Sequence, residues 1–200
     1  MRTYNIDMDD SYEKNYLNKR PQDLCLMCGK CCRVVTTGTS HEELCELARK
    51  NDVYAKEFLE IFVPYDSVEA ARKVDAETVD NIFNHLQNDQ KSTENLTFYY
   101  CKYLQDDNKC GRYEDRKTLC KHFPSSPWAI VPPGCGFSGW LFLKREQDKE
   151  RVRKAKEELL DLQVLRTKVV NKETLEKLAL VEKKLHKTIE LYKKYGSQDW

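Results

Sequence analysis

The sequence predicts a mainly α-helical fold with one short β-hairpin, in which a small cysteine-rich core is followed by a long C-terminal antiparallel helical hairpin. Three observations predict it. Residues 144–194 contain no Gly, Pro or Cys and repeat apolar residues at a spacing of three to four. Eight of the nine cysteines fall into two groups, at 25–32 and 101–135, beside glycines, prolines and turn residues. A single aromatic run at 96–104, followed by the turn-rich Gln105-Asp-Asp-Asn-Lys109, reads as a strand and its turn.

The elements follow in chain order. Residues 1–24 read as an N-terminal arm carrying Asp7, Asp9, Asp10 and Glu13, with Tyr4, Tyr12 and Tyr16 as candidates to dock it and a partly ordered tail as the plain alternative. Residues 25–32 form a tight loop around Gly29. Ser40-His41-Glu42-Glu43 is a capping box, in which the Ser40 hydroxyl accepts from the Glu43 amide. The helix it starts runs to about Lys50, with Leu44, Leu47 and Ala48 on one face. A second helix covers 53–62 and stops before Pro64. Asp75 caps a third that reaches about Leu86 and is apolar at Val79, Ile82, Phe83 and Leu86. Residues 88–95 are a polar linker. The strand at 96–104 turns at 105–109 and returns at 110–113. A short helix from Glu114 carries Leu119 and Cys120 until Pro124 stops it. Pro127, Pro132, Pro133, Gly134 and Gly136 then impose irregular backbone up to residues 140–143.

Beyond Lys144 the pattern is helical throughout. Val152, Ala155, Leu159, Leu162 and Val169 form one stripe, and Leu175, Leu178, Val181, Leu185, Ile189 and Tyr192 a second. Asn171 lies between them and caps the second helix. Glu150–Lys154, Glu173–Lys177 and Glu190–Lys194 are i,i+4 pairs in the favourable order. Two helices of about 25 residues, each about 40 Å long, are expected. The domain plan is therefore an arm at 1–24, a cysteine domain at 25–143 and a helical hairpin at 144–200.

Net charge is +1, from 34 basic and 33 acidic residues. That balance argues against a general nucleic-acid or membrane binder. The hairpin is locally basic, with 16 Lys and Arg against 10 Asp and Glu over 144–194. A solvated helix face is the plain reading of that excess, and the hairpin's apolar seam makes a protein partner or self-association the expected contact. No run reaches the roughly 18 apolar residues of a membrane span. The first twenty residues are polar and acidic where a secretory leader needs an apolar run, so a cytoplasmic protein is expected.

In a reducing compartment grouped cysteines bind metal or carry redox chemistry more often than they form disulfides. The first group is Cys25-Leu-Met-Cys28-Gly-Lys-Cys31-Cys32; the second is Cys101, Cys110, Cys120 and Cys135. The C-x2-C spacing lets two thiolates converge on one metal with little loop-closure cost. Two arrangements satisfy it. Cys25, Cys28 and Cys31 with one thiolate of the second group hold a [4Fe–4S] cluster while Cys32 joins the remaining three at a second centre. Alternatively, all eight share a polynuclear or paired zinc site. Four thiolates on Zn²⁺ or on a [4Fe–4S]²⁺ core leave a charge of about −2. Lys30, Arg33, Lys102, Lys109, Arg112, Arg116 and Lys121 are candidate counter-charges, Arg33 and Arg116 foremost. Cys45, beside Leu44 in an amphipathic helix, is expected in the core. His122, two residues after Cys120, reads as a surface or supporting residue before a ligand. No Gly-rich phosphate loop, G-x-S-x-G or H-E-x-x-H occurs, so hydrolase and nucleotide-binding readings lack support.

Cys25-x2-Cys28-x2-Cys31-Cys32, with Cys101-Lys-Tyr-Leu, then Cys110-Gly-Arg-Tyr-Glu-Asp-Arg and Cys120-Lys-His-Phe-Pro124, resembles the CxxCxxCC family, the YkgJ-like zinc- or iron-chelating domain. The resemblance covers about residues 25–143. Arg116-Lys117 stands where the family usually has Arg-Pro, a departure confined to that turn. The resemblance implies metal binding through these cysteines, by an iron–sulfur cluster or zinc, with no settled reaction. A lysine methylase acting on flagellin carries a similar pattern, so a protein-modifying enzyme belongs among the implied roles. The expectation is thus a small, metal-bound cysteine core holding an iron–sulfur cluster or iron in a redox or iron-handling role, with a zinc-structured interaction module as the competing class.

Overall fold

The computed structural model describes residues 20–89 and 92–195. The fold is mainly helical, with a small antiparallel sheet and a C-terminal pair of long helices. Two compact units divide the chain: residues 20–125 with 129–138, and a second formed by the C-terminal helices from residue 139 with 126–128. Apart from residues 20–24, the predicted arm, with Tyr4, Tyr12 and Tyr16, lies outside the described residues.

In the first unit, a single turn of 3-10 helix at Gln22–Leu24 leads into α1 (Lys30–Arg33) and β1 (Val35–Thr36). Helix α2 (His41–Arg49) starts where the capping box places it, with Ser40 Oγ accepting from the Glu43 amide at 3.2 Å. Helix α3 (Val53–Ile61) is capped by Asp52, which accepts from the Ala55 amide at 2.8 Å. It passes directly into β2 (Phe62–Pro64). Helix α4 (Val68–Asn88) is longer than expected. Asp75 does cap its second part, accepting from the Thr78 amide at 3.0 Å, but a first segment capped by Ser67 precedes it and the two join at a non-helical Asp75. Strand β3 (Phe98–Cys101) and the short α5 (Thr118–Lys121) complete the unit.

The sheet differs from the expected hairpin. Its order is β1-β3-β2, antiparallel, with Thr36 opposite Phe98 and Phe62 opposite Cys101. The predicted return of the chain at 110–113 shrinks to one bridge between Leu104 and Cys110. The partners of β3 come instead from segments far upstream. Because side chains alternate along a strand, Phe98 and Tyr99 face opposite ways. Phe98 packs with Val34, Ala71, Val79 and Ile82; Tyr99 and Cys101 pack with Leu44, Ala55, Phe58, Ile61 and Phe62. The central strand thus joins the two cores of this unit, and Cys101 lies on its α2–α3 face.

The second unit is the expected helical pair, α6 (Ser138–Arg166) and α7 (Lys172–Tyr195). Helix α6 begins six residues earlier than the loss of Gly and Pro signals, because Gly139 is accepted within its first turn. The seam is as predicted: Val152, Ala155, Leu159 and Leu162 against Leu185, Ile189 and Tyr192. Asn171 Oδ1 caps α7 through the Thr174 amide at 3.2 Å. The Glu150–Lys154 and Glu173–Lys177 pairs form at 3.5 and 2.6 Å; the Lys194 side chain lies outside the described residues. Polar groups enter the seam at Asp148 and Tyr192, both reached by Arg151.

Candidate metal centre

All eight expected ligands belong to the first unit and come from loops, single-turn helices or the end of β3. Cys25 and Cys28 flank an exposed tip, Leu26-Met27. Gly29 then takes φ +72° and caps α1, which presents Cys31 and Cys32. A Cβ at residue 29 would stand 2.9 Å from the Asn108 carbonyl oxygen. The first cysteine loop therefore lies directly on the 104–110 turn that carries Cys110. Gly136 does the same at the far end of the constellation, where a Cβ would run into the Leu24 carbonyl oxygen. That contact sets the Cys135 loop against the chain entering Cys25.

Long-range hydrogen bonds fix these loops. Arg20, which sequence reasoning passed over, is 6% exposed and donates to the carbonyls of Lys121 and Pro124, just after Cys120. Lys30 Nζ donates to the Pro133 carbonyl at 3.0 Å and pairs with Glu77 at 3.3 Å. Asn81 donates to the Val131 carbonyl at 3.1 Å. Helix α3 holds α5, since Glu57 Oε2 accepts from the Leu119 amide at 3.3 Å and Glu60 pairs with Lys117 at 3.0 Å and Arg112 at 3.8 Å.

The thiols form two neighbourhoods. Cys32 and Cys101 shift each other's ionisation, Cys31 acts on Cys32, and Cys120 stands within electrostatic reach of Cys32, Cys101 and Cys110. Cys135 interacts instead with Cys28 and Cys25. Cys101 favours the Cys32 thiolate, but Cys31, burial and the neighbouring sulfurs outweigh it and hold the thiol above its ordinary range. Cys32 and burial raise Cys101 likewise. Burial, then repulsion from Cys101 and Cys110, pushes Cys120 up to about 11. Burial raises Cys135, aided by Cys28 and Cys25. Among the described residues no three His, Cys, Asp or Glu side chains are drawn together in a ligating arrangement.

By its chemistry, though not by an assembled geometry, the donor set suits a thiophilic cation or cluster. It is all sulfur, it is supplied by several loops, and a positive centre between crowded thiolates reverses the repulsion that now disfavours their ionisation. Of the predicted counter-charges, Arg116 acts on a cysteine, drawing Cys120 toward its thiolate. Arg33 instead donates to Asn108 and so binds the first loop to the turn. Lys109 pairs with Asp107, and Arg112 bonds the Tyr103 hydroxyl at 3.1 Å. His122 is exposed, on the rim of this region. Cys45 is not in the core as expected: it is half-buried, with Sγ 3.6 Å from His41 Nε2. No helix among the described residues is long and apolar enough to cross a membrane. No family model, curated protein or solved structure matches this chain.

Proposed function

We propose that this is a cytoplasmic metal-binding protein of the CxxCxxCC kind, whose Cys25, Cys28, Cys31, Cys32, Cys101, Cys110, Cys120 and Cys135 coordinate iron, as an iron–sulfur cluster of the [4Fe–4S] type, for redox or iron-handling work. The observation that carries the reading is the close backbone approach at Gly29 and Gly136, which sets the first cysteine loop on the turn that carries Cys110 and the Cys135 loop against the chain entering Cys25. Cys32, Cys101, Cys110 and Cys120 make one ligand set; Cys25, Cys28 and Cys135 make the other, and Cys31 lies at the junction. The exposure of Cys25 and Cys28 gives the second set access to an electron or iron donor. Leu160, Val164 and Leu180, exposed on the helical pair, support a protein partner or a second copy there.

Anaerobic purification tests the metal. The expected protein is brown, absorbs at about 400 nm, bleaches with dithionite and contains iron and acid-labile sulfide. A colourless protein with stoichiometric zinc would replace this reading with a zinc-structured interaction module, and a metal-free folded protein would reject both.

A further inference from the structure

We propose that Cys45 is a separate reactive thiol, served by His41, that forms a mixed disulfide with a low-molecular-weight disulfide. His41 and Cys45 are four residues apart on α2 and so share one face. Cys45 Sγ lies 3.6 Å from His41 Nε2, and His41 Nδ1 lies 3.1 Å from the Tyr99 hydroxyl. Tyr99 is a fixed post. It is fully buried on the central strand, paired on both sides by β1 and β2, with its ring edge-on to Phe58 at 4.9 Å. With Nδ1–H donating to that oxygen, the Nε2 lone pair is directed at the thiol.

A nucleophile within reach of a base that a third group orients is the arrangement that activates cysteine chemistry. Leu44, next in the chain, is fully buried, whereas Cys45 and His41 are both half-buried and open to a small reagent. Neither residue belongs to the eight-cysteine set or adjoins it in sequence.

The step balances. His41 Nε2 takes the Cys45 proton as Sγ attacks one sulfur of the incoming disulfide. The new Sγ–S bond forms as the old S–S bond breaks, and the leaving thiolate takes the proton from His41 and departs as a thiol. Cys45 is oxidised, and one half of the incoming disulfide is reduced.

The test exposes the full-length protein as isolated to glutathione disulfide at neutral pH and maps each cysteine by mass. Cleavage after Arg33 and Arg49 places Cys45 in a peptide with no other cysteine. Cys45 is expected to react first among the nine, and about tenfold faster than the same residue in the urea-unfolded chain, since an unassisted thiol is only a few per cent ionised at neutral pH. His41→Gln should return the rate to that of the unfolded chain, and Tyr99→Phe should lower it part of the way. Metal content should not change on modification, which separates this site from the proposed centre. A native rate no higher than the unfolded one overturns the proposal, whether or not the His41 variant folds. A folded His41→Gln protein that reacts as fast as wild type overturns it equally.

Discussion

At the residue scale, the cysteines are distinguished by their surroundings. Cys120 is half-buried, and its thiol is raised first by burial and then by Cys101 and Cys110. Replacing it with serine removes a proposed ligand at the edge of the α2–α3 core, so metal content and melting midpoint should fall together, as ligation and folding are coupled. Cys45→Ser should leave metal content at the wild-type level; both are read by metal analysis beside a thermal melt. Gly136 gives a purely steric counterpart. A methyl group there meets a backbone oxygen that cannot step aside, so Gly136→Ala should cost about 1–3 kcal/mol and loosen metal held by Cys25, Cys28 and Cys135. Gly139 has nothing within 4 Å and lies in α6, so Gly139→Ala should be neutral or stabilising by about 0.5–1 kcal/mol, as chemical denaturation of the two variants would show. The cysteine positions were legible in the sequence, but their division was not. Only packing reveals that Cys135 returns to Cys25 and Cys28, because the contact that sets it there is a glycine against a carbonyl oxygen 112 positions away.

At the element scale, the caps at Ser40, Asp75 and Asn171 were legible because a short polar side chain there satisfies free amides, whereas those at Asp52 and Ser67 were passed over. Strands β1 and β2 were not. Each is two or three residues long, neither alternates long enough to show a period, and both are specified by pairing with β3 from a distance. The aromatic run predicted β3 itself because Phe98 and Tyr99 must fill cores on opposite faces. Helix α3 matters for the metal centre through its acidic edge. Glu60 is held below its ordinary range first by the hydrogen bond from Lys117, then by the charges of Lys117 and Arg112. A depressed carboxylate contributes stability that is present above its unfolded value of about 4.3 and lost as pH falls through the folded one. Glu60→Gln should therefore melt slightly below wild type at pH 7, and the gap should close below about pH 4. Since the pair is solvent-exposed, the effect should be small and should shrink in high salt; a gap that widened in acid would contradict the assignment.

At the scale of the whole molecule, the chain joins two units stabilised by different means. The first has two apolar cores meeting at β3, and all eight sulfurs lie inside its bounds. The second has one seam between two helices. Charge separates them as well: residues 144–194 carry +6, whereas residues 20–138, with 15 Lys and Arg against 18 Asp and Glu, carry −3. Two thiolate centres of about −2 each would make the cysteine unit more acidic still, so local neutralisation by groups such as Arg116 becomes more important as metal binds. From this division follows the behaviour of the parts. A chain ending at residue 143 keeps both cores, the sheet and every candidate ligand, and should bind the same metal per molecule as the full chain, with a similar cooperative melt of its own. The helical pair alone, from residue 139, buries a single stripe of about ten apolar side chains and lacks a third layer. Isolated pairs of that size are marginal in water, so its circular dichroism should show partial helix that melts broadly and rises with concentration when the exposed Leu160, Val164 and Leu180 find a second copy. Loss of metal from the shorter chain would instead make the helices part of what holds the cysteines, and the two units would then fold as one.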